Sequence, residues 1–88
     1  MNSRPDFIRP QDLIRWNKAI DSDESVPFSF KDMAPFREIL FASFYLVEQL
    51  KKAGLQSDEI GGVRYQHGYQ SFGNNPWDIA EELLNEYT

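Results

Sequence analysis

The stretch from Phe36 to Ala53 is apolar on nearly every side, because Phe36, Ile39, Leu40, Phe41, Phe44, Leu46, Val47 and Leu50 leave little polar surface in its middle turns. A helix with one apolar stripe lies on a surface, whereas a helix apolar all round has to be enclosed. The segment therefore calls for a helical fold in which two other helices, or a second chain, cover it. Gly54 stands where a left-handed residue ends such a helix, and Leu55 supplies the apolar contact just beyond, so a helix is predicted over about 34–53.

Two further helices are available as cover. Pro10 suits a first helical position, and Leu13, Trp16 and Ile20 recur at helical spacing with Ile14 widening the stripe, which predicts a helix over about 10–21. Near the end, Asn75 is a good N-cap, Pro76 fits the first turn and Asp78 favours the helix dipole. Ile79, Ala80, Leu83, Leu84 and Tyr87 then form an apolar face, and a helix is predicted over about 76–87.

The connections read less regularly. Asp21 to Ser25 is a solvated loop of short polar side chains. Val26 to Phe30 comes next as an extended approach with its aromatics over the core. Ser29 and Asp32 have the form of a capping box with Phe28 and Met33 as its staple, while Pro35 limits the turn that this box opens to residues 30–33. Ser57 to Ile60 permits a helical turn that Gly61-Gly62 would end. Val63–Gln66 and Tyr69–Phe72 then flank His67-Gly68 as a short β-hairpin over 63–72. The expected fold is thus a mainly α, three-helix single domain spanning 1–88, with an irregular or hairpin segment before the last helix. Its core would hold Leu13, Trp16, Ile20, Ile39, Leu40, Val47, Leu50, Ile79, Leu83 and Leu84.

Composition narrows the chemistry. The 88 residues include no cysteine and one histidine, which removes disulfides and thiolate zinc sites as staples. A reducing compartment fits, and a cytoplasmic location is expected. Met1 to Pro10 lacks the apolar stretch of a secretory signal, and Ile39 to Val47 falls far short of the roughly 20 residues of a membrane span. The net charge of −5 divides into +2 over residues 1–20 and −7 over the remainder. Such a body disfavours direct binding to nucleic acid and favours basic partners.

No catalytic or metal motif emerges. His67 has no nucleophile motif or second histidine beside it, and the glycines lack phosphate-loop spacing. Asp21 to Asp32 has the length of a calcium-binding loop, but Val26 stands where the tight turn needs glycine and Asp32 where a bidentate glutamate is usual. No cofactor and no metal are expected, and the chain reads as a non-enzyme. A catalytic reading would need His67 beside carboxylates in a closed pocket.

Surface recognition remains. Tyr65, His67, Tyr69 and Phe72 place aromatic and polar groups in a glycine-flanked segment, with Trp77 at the start of the last helix; most of these rings are expected to close one end of the core, with Tyr69 and His67 exposed. Asp21, Asp23 and Glu24, together with Asp78, Glu81, Glu82 and Glu86, are candidates for a negative patch. The function expected is that of a small acidic regulator or inhibitor occupying a basic surface of a partner protein, including a nucleic-acid-binding one. In size and charge the chain is similar to small inhibitors that imitate nucleic-acid charge, such as immunity and anti-defence proteins, a likeness of composition that no motif carries. The alternative is a homodimer, or a small subunit of a complex, pairing through surplus apolar surface on the central helix.

Overall fold

The computed structural model describes residues 4–88, so whatever rests on Met1 to Ser3 in the reading of the amino terminus lies outside the described residues. Among the described residues the chain is mainly helical, with five helices and no strand. These are α1 (Pro10–Ser22), α2 (Phe28–Asp32), α3 (Ala34–Lys52), α4 (Ser57–Ser71) and α5 (Pro76–Tyr87). The central helix α3 packs against each of the other four, and α4 also packs against α5. Enclosure of α3 is therefore supplied by this chain's own helices, and Leu40, Phe41, Ala42, Leu46 and Leu50 are buried in it.

The three expected helices form close to their predicted bounds. α3 ends as Gly54 and Leu55 dictate: Gly54 takes φ +88°, its N–H bonds the Lys51 carbonyl at 3.1 Å, and the Leu55 N–H reaches back to Leu50 at 3.2 Å. This pair of bonds satisfies carbonyls the helix leaves open. α5 starts with the Asn75 side chain accepting the Trp77 N–H at 2.9 Å. The core contains Trp16, Ile20, Ile39, Leu40, Leu50, Ile79 and Leu83 as expected, with Leu13, Val47 and Leu84 partly buried at its edge. Ile14 instead faces solvent, 63 % exposed.

The segment predicted as a hairpin over 63–72 is helical. The start is local: the Gln56 N–H bonds the Glu59 carboxylate at 3.3 Å in a capping box that opens α4. Ile60, Val63, His67 and Ser71 then recur at helical spacing and form its buried face. Two of those four are polar, so the stripe is invisible to a count of apolar residues. Ser71 meets its polar need nearby and His67 meets one of its two: the His67 ring bonds the Pro76 carbonyl at 2.9 Å and the Ser71 hydroxyl donates to the His67 carbonyl at 2.6 Å. Gly61, Gly62 and Gly68 lie inside the helix without positive φ. Each costs about 0.5–1 kcal/mol relative to alanine, a cost that α4 meets by packing against α3 and α5. The helix stops where Gly73 takes φ +81°.

The approach to α3 also differs from expectation. Residues 28–32 form the short helix α2 with Pro27 at its N-cap, and the Ser29–Asp32 box is not used. Met33 ends α2 and caps α3 in one extended residue, and Pro35 falls in the first turn of α3, where a missing N–H costs nothing. Phe30 stacks on Phe36 at 4.7 Å, but Phe28 and Met33 point outward at 77 % and 52 % exposure instead of stapling the helix.

Two buried tryptophans tie the outer helices to α3 through its carboxylates. Trp16 of α1 donates its indole N–H to Glu48 at 3.0 Å, and Trp77 of α5 donates to Glu38 at 2.6 Å. Each carboxylate also holds an arginine, Arg15 at 3.0 Å on Glu48 and Arg4 at 2.9 Å on Glu38. The Glu38 contact raises the Arg4 pKa. α1, α5 and the segment before α1 are thereby fixed to one helix by paired polar groups as well as by apolar contact.

Candidate functional site

The candidate surface is built on the outer face of α4. Gly61, Tyr65, Gly68 and Phe72 succeed one another at spacings of four and three residues, and Tyr69 lies beside them. With 3.6 residues per turn, these positions share one side of the helix, away from the buried stripe. Tyr65, Tyr69 and Phe72 are 73 %, 76 % and 54 % exposed. Opposite them stand Ser25, Pro27 and Phe30, and the two walls enclose a mostly apolar groove of about 700 Å³. Phe72 is held edge-on to Phe30 and Phe36 at 6.1 and 5.8 Å, which fixes one end of the groove. Arg64 also lines it, with its guanidinium over the Phe44 ring at 5.7 Å.

The acidic candidates divide between two places. Asp21 sits in the last turn of α1, and Asp23 and Glu24 in the connection to α2, beside the groove wall at Ser25 and Pro27. Asp21 pairs with Arg37 at 2.9 Å. Asp23 accepts the Ser25 hydroxyl at 2.6 Å and the Ser25 N–H at 2.9 Å, and these bonds lower its pKa. Glu24 is exposed. Asp78, Glu81, Glu82 and Glu86 are all exposed on α5, and among the described residues none of them makes an ion pair. They do not line the groove. Glu81 flanks a separate depression with Phe7, Tyr45 and Trp77, where burial and the Glu81 charge raise the Tyr45 pKa.

His67 is the clear departure. Expected at the surface, it is fully enclosed, 0 % exposed, between α4 and the start of α5. Its hydrogen-bonding surroundings are the Pro76 carbonyl and the Ser71 hydroxyl, with no carboxylate, so the condition for a catalytic reading of this residue is not met. Burial lowers its pKa, and the neutral ring donates from Nε2 to Pro76 while Nδ1 stays unprotonated and unpartnered.

A second, more polar cleft of about 280 Å³ lies between α1 and α3, lined by Asp12, Arg15, Trp16, Glu48 and neighbouring residues. Its charges satisfy one another. Asp12 accepts the Arg9 N–H at 3.1 Å and lies 3.2 Å from Arg15, and the bonds from Arg9 lower its pKa. Bonding to Glu48 raises that of Arg15. Among the described residues no group of three or more histidine, cysteine, aspartate or glutamate side chains is placed to hold a metal ion, and no helix is long and apolar enough to cross a membrane.

Sequence reasoning grouped Tyr65, Tyr69 and Phe72 but missed that Gly61 and Gly68 share their face. Read as a helix, the spacing of 61, 65, 68 and 72 would have shown it. No family model matches the chain, and no curated protein or solved structure is significantly similar to it.

Proposed function

We propose that this chain is a non-enzymatic protein-binding module, a small regulator or inhibitor that offers an acidic and aromatic surface to a basic surface of another protein. The observation that carries the reading is the wall of Tyr65, Tyr69 and Phe72, three large rings on one helix face that the chain's own core leaves uncovered. Tyrosine and phenylalanine give large contact area for few rotatable bonds, and soluble surfaces seldom leave several together without a partner. Charge sets the sign of the partner. α5 presents four exposed carboxylates over twelve residues, none of them in an ion pair among the described residues, and Asp23 and Glu24 stand beside the groove. This negative field supports a basic partner, nucleic-acid-binding proteins included.

Affinity capture from the native cell tests the proposal when wild type is compared with two variants. One carries Tyr65→Ser and Tyr69→Ser; the other carries Asp78→Asn, Glu81→Gln, Glu82→Gln and Glu86→Gln. The expected result is a basic protein retained by wild type and lost from both. An identical captured set for all three chains would remove the proposal.

A further inference from the structure

The glycines of α4 have no explanation inside this chain. A Cβ built at Gly61 or Gly68 meets nothing within 4 Å, and neither residue has a positive φ. Internal packing and backbone geometry would thus accept a better helix former at both positions. Glycine inside a helix is of use where another backbone comes close. Both glycines lie on the exposed face, alternating with Tyr65 and Phe72.

That alternation is self-complementary. Along the face the order is small, large, small, large, with the four-and-three spacing of a helix–helix seam. If a second copy of α4 runs antiparallel about a two-fold axis midway between residues 66 and 67, Tyr65 meets Gly68 of the second copy and Phe72 meets its Gly61. Both rings of the seam then face a notch. A parallel pair would set ring on ring and gap on gap, and would bring Asp58 and Glu59 together at one end. The antiparallel pair places those carboxylates about 20 Å apart, at opposite ends of the 15-residue helix.

We infer that α4 is a homodimerisation helix, pairing antiparallel with the α4 of a second copy across the groove. The inference rests on the reading of this wall as a protein-binding surface and names its occupant. The area suffices. The three rings expose on the order of 400 Å² per copy, at about 150–250 Å² for a whole aromatic side chain. Pro27 and Phe30 on the facing wall bring the contact toward the roughly 600–800 Å² per partner of a specific interface. An isologous contact of this kind closes on itself, and it leaves the acidic face of α5 outward on each copy for a basic partner.

Sedimentation equilibrium over a wide concentration range, paired with thermal unfolding, tests this. Wild type should dimerise. The double variant Gly61→Gln/Gly68→Gln should weaken association at least about tenfold while raising the thermal midpoint of the dilute monomer by about 4–8 °C, since glutamine is the better helix former. Gly62→Gln, one position around the helix, should raise the midpoint and leave the dimer intact. Mixing a Tyr65→Cys chain with a Gly68→Cys chain should give the mixed disulfide under mild oxidation. A wild type that stays monomeric at about 0.5 mM, where even millimolar affinity would show, would overturn the inference, as would a dimer indifferent to the glycine pair. Homodisulfides without the mixed product would overturn the antiparallel register. If the chain is monomeric and Tyr65→Ser/Tyr69→Ser still loses a captured basic protein, the binding-module reading survives and only the homodimer falls.

Discussion

Single side chains carry large consequences in a domain whose core must do without covalent staples. Glu38 is the acceptor for the buried Trp77 indole and the partner of Arg4. Glu38→Ala should cost about 1–3 kcal/mol in urea unfolding, because a buried N–H is left without a partner. Glu38→Gln keeps an acceptor oxygen and should cost less than half as much. His67 sets a pH dependence of definite sign. Its folded pKa lies below the ordinary 6.5 because it is buried, so as pH falls below that value the unfolded chain takes up a proton that the folded chain refuses. Stability should be level above about pH 7 and fall by up to about 1.4 kcal/mol per pH unit below about 6.5. His67→Gln should flatten that slope in urea midpoints measured from pH 5 to 7.5. Asp12 and Asp23, whose pKa values are lowered, add a separate loss below about pH 4, where the unfolded chain again binds the protons.

At the level of elements, glycine shows two opposite roles. Gly54 ends α3 at φ +88°, so Gly54→Ala should destabilise by about 1 kcal/mol. Gly62 lies inside α4 with open space at its Cβ, so Gly62→Ala should stabilise by about 0.5–1 kcal/mol. Paired thermal melts check both signs. α1, α3 and α5 were legible because apolar residues at helical spacing coincide with local stop and start signals: Pro10, Gly54, and Asn75-Pro76. α4 was not legible, since half of its buried stripe is His67 and Ser71 and three glycines interrupt its pattern. The error propagated to the site. A hairpin turn would have exposed His67, whereas a helix carries it inward on the side opposite Tyr69. Phe28 and Met33 failed as a staple for a related reason: α2 begins at Phe28 itself, so neither residue has the register the motif requires.

Across the whole molecule, the five helices form a nearly isometric body of 31 × 29 × 27 Å, with α3 in the middle and two distinct outer surfaces. The apolar surface that looked in excess on α3 is used internally, and the uncovered rings lie on α4. The acidic field lies on α5 and beside the α1–α2 connection. Separation of the two surfaces predicts different responses to salt. Self-association through α4 should change little between 0.05 and 0.5 M NaCl, whereas retention of a basic partner should fall severalfold, since exposed charges are screened over about 10 Å at 0.1 M. Sedimentation and capture at the two salt concentrations check this. Rigidity is also uneven. α4 carries three of the chain's five glycines and a buried face half composed of polar groups, which weakens its own helical backbone relative to α3 and α5. Its amide protons should exchange with deuterium before those of α3 and α5, and the exchange should slow as the protein is concentrated. A helix that glycine loosens would then be the one that association closes.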